Sequence, residues 1–358
     1  MPAPTVVSGE APGRVNLIGE HTDYNGGFVL PIAISRRTRV RLVPRADGTV
    51  ETHSQQAATK GHYLLGQETP GAGWVDYVQG VTWALAEAGY SLSGFSAQIS
   101  SDVPLGSGLA SSAALEVALL RALRHAFGLD LDDVRLPLLA QRAENEFVGA
   151  RVGIMDQLAA NLADTHSALF IDTRDLRYER VPWPAAAELV VIHSGVSHAL
   201  RTAEGAGDYN MRRRECEEAA RLLGVSQLRD LALADVPQLD RLPEPLLRRA
   251  RHVVTENARV LQALDALRSA DLDKLGRLFV ASHTSMRDEY EVSTPEIDLL
   301  VELACGERDV FGARLTGGGF GGAVIALARR GSAREVGERV CRAYAAHSGC
   351  SPNLLVPA

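Results

Sequence analysis

The sequence contains little cysteine, and its cysteines form no recognisable metal-binding or disulfide pattern. Four cysteines in 358 residues form no CxxC pair and are too few for a disulfide scaffold. They are Cys216, Cys305, Cys341 and Cys350. Reduced thiols are the simplest interpretation, and they predict a cytoplasmic protein.

The sequence also lacks net positive charge and long apolar runs. Lysine and arginine number 37 against 44 acidic residues, giving a formal net charge of -7, which argues against a nucleic-acid-binding protein. No stretch approaches the roughly 20 apolar residues of a membrane span. The first residues, Met1 to Thr5, contain neither the basic nor the apolar region of a signal peptide. We therefore expect no nucleic-acid partner, no membrane association and no leader.

Several common catalytic signatures are absent. The sequence has no H-E-x-x-H, no G-x-S-x-G, no Walker A lysine after a glycine loop, and no kinase H-R-D or D-F-G set. The segment from Gly317 to Gly322 fits G-x-G-x-x-G, but a strand-like run follows it at once where a dinucleotide site needs a helix. It is better interpreted as a glycine turn between two strands, close to a ligand or to another stretch of backbone.

The length predicts two domains, because a chain of 358 residues is more than twice the roughly 150 residues of an average domain. Pro182-Trp183-Pro184 is the best candidate for the joint between them. We predict an N-terminal domain over 1–180 and a C-terminal domain over 181–358.

A glycine-rich loop that enters an apolar helix is the main candidate for a phosphate site. It runs from Pro104 to Ala114 and is followed by apolar residues as far as Phe127. Glycines allow the backbone to approach a ligand closely, and the N-terminus of a helix attracts phosphate. Ser111 and Ser112 stand where helix-capping residues are expected.

The segment from Ala11 to Gly27 is the candidate partner site. Its polar and ionisable side chains (Arg14, Glu20, His21, Asp23, Tyr24) stand among four glycines, which suits a ligand with many hydroxyl groups. A polar hairpin loop with a turn at Asn25-Gly26 is the alternative interpretation.

Phosphoryl transfer to a hydroxyl group needs a phosphate cradle, a bridging cation and an acid or base beside the attacking oxygen. Ser112 and Glu144 could hold Mg²⁺ through oxygen atoms, since Mg²⁺ usually takes one or two protein groups together with phosphates and water. Asp156 could accept the hydroxyl proton, and Arg14 could neutralise charge on the transferred group. The alternative for Asp156 is an acid that merely interacts with a helix dipole.

Five segments in one order resemble galactokinases and their wider GHMP kinase superfamily. Gly13 to Gly27 resembles the galactokinase signature nearly letter for letter, while Pro104 to Ala114 and Leu315 to Gly322 are similar to the ATP loop and the third motif of the superfamily. The other two segments are Gly153 to Gln157 and Asp208 to Cys216. In the last of these, Arg212-Arg213-Arg214 with the acids that follow predicts a solvated helix face.

This resemblance implies an α+β fold of two domains, an N-terminal domain like domain 2 of ribosomal protein S5 and a ferredoxin-like C-terminal domain, with the active site in the cleft between them. It implies phosphorylation of the C1 hydroxyl of α-D-galactose by ATP with Mg²⁺, giving galactose 1-phosphate for the Leloir pathway. The implied catalytic residues are Asp156 and Arg14, and the implied Mg²⁺ ligands are Ser112 and Glu144. The implied sugar-binding residues are Glu20, His21, Thr22, Asp23, Gly153 and Tyr209. The implied ATP-binding residues are Gly106, Ser107, Gly108, Leu109, Ala110, Ser111 and Ser112.

Two alternatives to this function remain open from the sequence. The first is a related sugar 1-kinase that acts on N-acetylgalactosamine or arabinose, and the second is a galactose sensor without catalysis. A sensor has no need of the complete set Arg14, Ser112, Glu144 and Asp156, all of which this sequence contains. We expect galactose and ATP as small-molecule substrates, and we expect the protein to be a monomer. Asp156 is predicted to be essential, either as a base or as an orienting charge.

Overall fold

The computed structural model describes residues 6–57, 59–196 and 205–356, and within them the chain is a mixture of helices and strands. The strands are β1 (Val7–Asn16), β2 (Phe28–Val29), β3 (Pro31–Pro44), β4 (Thr49–Ser54), β5 (Thr59–Leu64), β6 (Phe95–Ser101), β7 (Ser167–Asp172), β8 (Arg177–Pro182), β9 (Ala187–His193), β10 (Val310–Thr316), β11 (Ala323–Arg329) and β12 (Asn353–Val356). The α-helices are α1 (Val75–Glu87), α2 (Ser111–Phe127), α3 (Arg135–Arg142), α4 (Met155–Leu162), α5 (Gly205–Leu223), α6 (Leu246–Arg268), α7 (Leu272–Asp288), α8 (Pro295–Cys305) and α9 (Ala333–Ser348). No helix in these described ranges is long and apolar enough to cross a membrane.

The chain divides into two compact units, each made of more than one segment. The first unit comprises 1–14, 33–105 and 110–162, and the second comprises 15–32, 106–109 and 163–358. The predicted sugar signature and the predicted phosphate loop therefore each contribute residues to both units. The linear division at 180/181 stays a prediction, while Pro182 is the last residue of strand β8.

The first unit is built on a five-stranded mixed sheet with the order β1-β3-β6-β4-β5. Strands β3 and β6 pair antiparallel with Val40 opposite Ile99, whereas β4 runs parallel to β6. Alternation of apolar and polar residues along β3 places Val40 and Leu42 in the core and Arg39 and Arg41 at the surface. Helices α1 and α2 supply most of the remaining core side chains.

The second unit contains two sheets. An antiparallel four-stranded sheet has the order β10-β11-β9-β12, and its central strands β9 and β11 are almost wholly apolar because they are buried. A three-stranded sheet has the order β2-β7-β8. Helices α5 to α9 complete this unit.

Two features of the helices differ from the sequence-based expectation. The sequence from Leu136 to Val148 predicts a single helix, but α3 ends at Arg142 and the chain continues as a π-helical turn over Ala143–Val148. Short π-helical segments are often found at functional sites. The expected capping role of the two serines is wrong: Ala110 precedes α2 in a left-handed conformation without a side-chain cap, and Ser111 and Ser112 are the first two helical residues.

The packing of strand β1 on helix α2 gives a direct test of the first unit. A Cβ atom on Gly9 would lie 2.2 Å from the carbonyl oxygen of Ala118 and 2.6 Å from the backbone nitrogen of Ala122. Both contacts are with backbone, which cannot rotate away. We expect Gly9→Ala to lower the free energy of unfolding in urea by about 3 kcal/mol.

The matched control for this substitution is Gly48→Ala. A Cβ atom on Gly48 would meet nothing within 4 Å, and we expect its effect to stay within about 0.5 kcal/mol. Equal stability of the two variants would contradict the tight packing of β1 on α2.

Candidate functional site

The predicted phosphate loop turns sharply at alternate residues before helix α2. Gly106 and Gly108 have φ angles of +69° and +74°, and Ala110 has a φ of +59°. Such alternation turns successive backbone N–H groups toward one side, as in the concave backbone sites that bind anions. Helix α2 then begins at Ser111 with its free N–H groups and the positive end of its dipole. The loop therefore has the backbone geometry expected of a phosphate site.

The third glycine motif forms the turn between β10 and β11, as predicted from the sequence. Gly317 lies so close to the phosphate loop that a Cβ atom there would be 3.1 Å from the carbonyl oxygen of Gly108. Gly319 lies against Val292, where a Cβ atom would be 2.4 Å from a backbone oxygen. These positions require glycine, because backbone occupies the space of a side chain. The turn serves to pack against other backbone, including that of the phosphate loop.

Arg14 and Asp156 form a bidentate ion pair in the first unit. Nε of Arg14 donates to one carboxylate oxygen of Asp156 at 2.7 Å, and a terminal nitrogen donates to the other at 2.6 Å. The Arg14 side chain is 5% exposed, whereas that of Asp156 is 26% exposed at the start of helix α4. Two parallel hydrogen bonds fix the plane of the carboxylate as well as its position. Asp156 is thus held rigidly and is still accessible to a ligand.

Ser112, Glu144 and Gln157 form a hydrogen-bonded group in the same unit. The Ser112 hydroxyl hydrogen-bonds to Glu144, and the amide of Gln157 donates to Glu144 at 2.8 Å. Burial, followed by the charge of Asp156, raises the pKa of Glu144 to about 7 despite these hydrogen bonds. Burial, followed by the charge of Glu144, also raises the pKa of Glu116 well above its usual range.

This group fits the oxygen chemistry of Mg²⁺. Ser112 and Glu144 supply a hydroxyl and a carboxylate side by side, and the raised pKa of Glu144 shows a buried acid that a cation would stabilise in its charged form. Within the described ranges, no cluster of three or more histidine, cysteine or acidic side chains is arranged to hold a metal ion. An Mg²⁺ held by these two side chains would take its other ligands from phosphates and water.

The predicted sugar signature forms a tight turn in the second unit. Thr22 is fully buried and its hydroxyl contacts the carbonyl oxygens of Gly19 and Phe28 at 2.8 and 2.6 Å. Asp23 begins a short 3-10 turn, and one of its carboxylate oxygens accepts the backbone N–H of Tyr24 at 2.9 Å. These bonds fix the direction in which the loop presents its polar side chains.

Glu20 belongs to a buried ionic group that sequence reasoning missed. Its carboxylate pairs with Arg314 of strand β10 and accepts the backbone N–H of Gly317 at 3.1 Å. Arg314 has no solvent exposure, and it also donates to the carbonyl oxygen of Leu17 at 2.8 Å. Glu256 lies 3.9 Å from the same guanidinium group. The carboxylate of Glu20 therefore links the signature loop to strand β10 through an ion pair and to the third glycine motif through a hydrogen bond.

His21 and Tyr209, which are both predicted to contact the sugar, lie in one larger aromatic group. Their ring centroids are 5.5 Å apart, and Tyr24 lies 5.9 Å from His21 and 5.7 Å from Tyr209. Tyr290, which no motif indicated, stacks on His21 with centroids 4.6 Å apart. The structure thus brings the predicted sugar residues of the second unit together.

The remaining predicted residues can be placed individually. Gly153 is buried in the short segment between the π-helical turn and α4. Ser107 and Leu109 are buried in the phosphate loop. Arg212 corrects an expectation, since it is buried rather than on a solvated face: it donates to the carbonyl oxygens of Tyr290 and Glu291.

Comparison with known proteins accounts for these motifs. Three family profiles match: "GHMP kinases N terminal domain" over 76–163, "Galactokinase galactose-binding signature" over 3–43, and "GHMP kinases C terminal" over 263–346. A galactokinase of Roseiflexus sp. is 44% identical over 97% of this chain and 89% of its own length. A galactokinase of Chloroflexus aurantiacus is 48% identical over 88% of this chain and 82% of its own length. The chain belongs to the galactokinase family.

A solved structure supports the same assignment for the fold. Lactococcus lactis galactokinase complexed with galactose matches with a TM-score of 0.91 and 34% identity, over 98% of this chain and 92% of that one. The fold is accordingly that of the galactokinases, with GHMP kinase N- and C-terminal domains. The galactokinase signature covers the segment that contains Arg14, Glu20, His21 and Asp23.

Glu144 gives this galactokinase-family protein a predictable dependence of stability on pH. Its pKa is 4.5 in a reference chain and about 7 when folded, so the unfolded chain releases a proton between these values that the folded state retains. The contribution of Glu144 to the free energy of unfolding must therefore fall as pH rises from about 4.5 to 7.

We expect Glu144→Gln to remove this contribution. In urea titrations without Mg²⁺ or nucleotide, wild type should lose on the order of 3 kcal/mol relative to Glu144→Gln between pH 5 and pH 8. Glu146→Gln, which changes an exposed glutamate of the same π-helical turn, controls for the loss of a surface charge. A wild-type difference from Glu144→Gln that does not change with pH would contradict the raised pKa.

Proposed function

We propose that this chain transfers the terminal phosphoryl group of ATP to the C1 hydroxyl of α-D-galactose, giving galactose 1-phosphate and ADP. The observation that carries the proposal is the bidentate Arg14–Asp156 pair in a chain that belongs to the galactokinase family over nearly its whole length. A binding protein would have no need of a partly exposed carboxylate held in one plane by a buried arginine.

The sugar would be bound by the side chains that the signature loop presents. His21, Asp23 and Tyr209 offer ring nitrogens, a carboxylate and a phenol, and such groups can pair with sugar hydroxyls that both donate and accept hydrogen bonds. Backbone of Gly153 would contribute a further contact. The sugar contacts predicted for Glu20 and Thr22 stay predictions, since both side chains have partners that hold the turn.

Asp156 would orient the C1 hydroxyl and accept its proton during transfer. Arginine-paired carboxylates are weak bases, but phosphoryl transfer through a loose transition state needs little proton transfer before the bond to the leaving group has lengthened. Positioning the attacking oxygen then contributes most to the rate. Arg14 fixes the carboxylate and adds positive charge where negative charge accumulates on the transferred group.

The backbone from Gly106 to Leu109 and the start of α2 would bind the phosphates of ATP. Ser111 and Ser112, as the first helical residues, would add hydroxyl and N–H donors next to Ala110. Ser112 and Glu144 would hold Mg²⁺, which when bound neutralises phosphate charge. The requirement for Mg²⁺, a monomeric state and a cytoplasmic location remain predictions from the sequence, as does entry of the product into the Leloir pathway.

A coupled ADP-release assay across five acceptors tests the function. With ATP and Mg²⁺ present, we expect rapid ADP release with galactose and little with N-acetylgalactosamine, arabinose, glucose or mevalonate. Preference for N-acetylgalactosamine or arabinose would indicate a related sugar 1-kinase. Galactose binding without ADP release would indicate a sensor and would overturn the proposal.

Substitution of Asp156 tests the catalytic assignment. We expect Asp156→Asn to lower kcat by about 1,000-fold, because the group that orients and deprotonates the hydroxyl is lost, while calorimetry shows galactose still bound. The control is Asp273→Asn, an exposed acid in the first turn of α7. Like Asp156, Asp273 lies in the first turn of a helix, but no ion pair with an arginine is found for it among the described residues. Near-normal turnover of Asp156→Asn would remove this residue from the mechanism.

A further inference from the structure

Tyr290 is a fully buried residue in the segment between α7 and α8, and neither a motif nor the proposed mechanism uses it. Its hydroxyl lies 2.7 Å from the hydroxyl of Tyr24 and 3.1 Å from the sulfur of Cys216. The Tyr24 hydroxyl in turn lies 2.8 Å from Nδ1 of His21. One continuous chain of hydrogen bonds therefore runs from a buried thiol to a ring nitrogen of the sugar signature.

The ring of Tyr290 also contacts neighbouring side chains, in addition to the contacts made by its hydroxyl. The imidazoles of His21 and His252 lie against it with centroid distances of 4.6 and 4.5 Å. His252 is itself fixed on both sides of its ring, since Nδ1 lies 2.9 Å from the hydroxyl of Ser285 and Nε2 lies 3.2 Å from the carbonyl oxygen of Glu20. The plane of His21 is thus set by a buried surface that cannot rotate.

The backbone that presents Tyr290 is clamped by two buried arginines. Arg212 donates to the carbonyl oxygen of Tyr290 at 2.7 Å, and Arg249 donates to that of Glu289 at 2.6 Å. The next residue, Glu291, has a φ of +55°. A non-glycine residue in this left-handed region costs free energy and persists where its surroundings hold it. The segment is therefore held in place at some cost to stability, as expected of a part that positions other groups.

The hydrogen-bond chain also determines where the proton of His21 resides. Burial, followed by the charges of His252 and Arg212, lowers the pKa of His21 to about 3, so its ring carries one proton at neutral pH. A phenol is a stronger acid than a neutral imidazole, and imidazole nitrogen is the better base. These acidities favour donation from Tyr24 to Nδ1, although the contact distances alone fix no donor along the chain. Donation in the order Cys216 to Tyr290, Tyr290 to Tyr24 and Tyr24 to Nδ1 leaves the His21 proton on Nε2.

The Nε2 atom is the far end of this hydrogen-bond chain. It is buried and has no hydrogen bond of normal geometry among the described residues, although the backbone of Gly318 also interacts with this imidazole. Buried polar atoms are nearly always hydrogen-bonded in proteins, so this atom is a candidate to take a further partner from outside the chain. A hydroxyl oxygen of the sugar would accept a hydrogen bond from Nε2–H.

We propose that Tyr290 is a positioning residue for the sugar site: its hydroxyl, acting through Tyr24, keeps the His21 proton on Nε2, and its ring holds the imidazole plane. This role rests on the proposed galactose kinase function, since His21 is there a sugar-binding residue. Tyr290 itself does not touch the sugar.

Tyr290→Phe tests the proposal, because it keeps the ring and removes the donor to Tyr24. Without that donor the Tyr24 hydroxyl no longer has to direct its proton to Nδ1 and can also accept from Nδ1–H, so the second tautomer of His21 becomes populated beside the first. We expect the KM for galactose to rise about tenfold, while the KM for ATP and kcat change less than about threefold. Tyr24→Phe should have a similar effect, and the double variant should be little worse than either single one.

The tautomer itself can be measured without activity. Two-bond ¹H–¹⁵N spectra of histidine-labelled protein distinguish Nδ1–H from Nε2–H, and the His21 signals can be assigned by their loss in His21→Asn. We expect one Nε2–H form in wild type and a mixture in Tyr290→Phe. Tyr63→Phe is the matched control, since it removes another buried phenol, 3.1 Å from the Thr82 hydroxyl in the first unit. It should change neither spectrum nor galactose KM.

The outcomes separate the positioning role from simple packing and from the proposed function. An unchanged galactose KM and an unchanged His21 spectrum in Tyr290→Phe would overturn the positioning role. A parallel rise of both KM values with a lowered Tm, matched by Tyr63→Phe, would show a merely structural residue and also overturn it. Absence of galactose phosphorylation by wild type would instead overturn the function, and the spectra would still report the tautomer.

Discussion

The second unit depends on one fully buried positive charge. The guanidinium group of Arg314 has no access to water, so its desolvation must be offset by partners inside the protein. Those partners are the carboxylate of Glu20 and the carbonyl oxygen of Leu17, both from the signature segment. Loss of either Arg314 or Glu20 would leave the other buried without its main counter-charge. The segment that contains the predicted sugar-binding side chains is therefore tied to β10, an edge strand from a distant part of the sequence.

Close approach of backbone is the second constraint, and it explains the third glycine motif. Gly317 donates its N–H to Glu20 and lies against the phosphate loop at Gly108. Any side chain at Gly317 would push these loops apart. The same residues thus connect two regions that were assigned to different ligands, ATP and the sugar. We interpret the motif as a structural link between them rather than as a nucleotide-binding sequence.

The site residues that could be predicted from the sequence share one property: the residues next to them in the chain already indicate the local structure in which they lie. The glycine loop before α2 and the Arg14 and Asp156 motifs could be located because turn residues, helix starts and clustered polar residues are visible in short windows. Tyr290 and Arg314 could not be found in this way. Tyr290 contacts Tyr24 across 266 residues and Arg314 pairs with Glu20 across 294 residues. Tyr290 stands among charged residues and Arg314 in an apolar strand, and neither context marks a site. Arg212 was misjudged for the same reason, since its spacing from acids on one helix indicated a surface and only the tertiary fold buries it.

The buried acids show why residue type alone would not have assigned their charges. Burial raises the pKa of Glu144 to about 7, with a nearby acid adding to the effect. Burial would equally raise the pKa of Glu256, but the charges of Arg259, His252 and Arg314 lower it to about 2. Both side chains are buried glutamates, and the charges around each one decide whether its pKa is raised or lowered. Glu256 is a permanent anion that stabilises the second unit, whereas Glu144 is left without a compensating cation among its contacts. A buried acid that lacks a cation partner, such as Glu144, is expected where a positive charge is supplied together with the substrate.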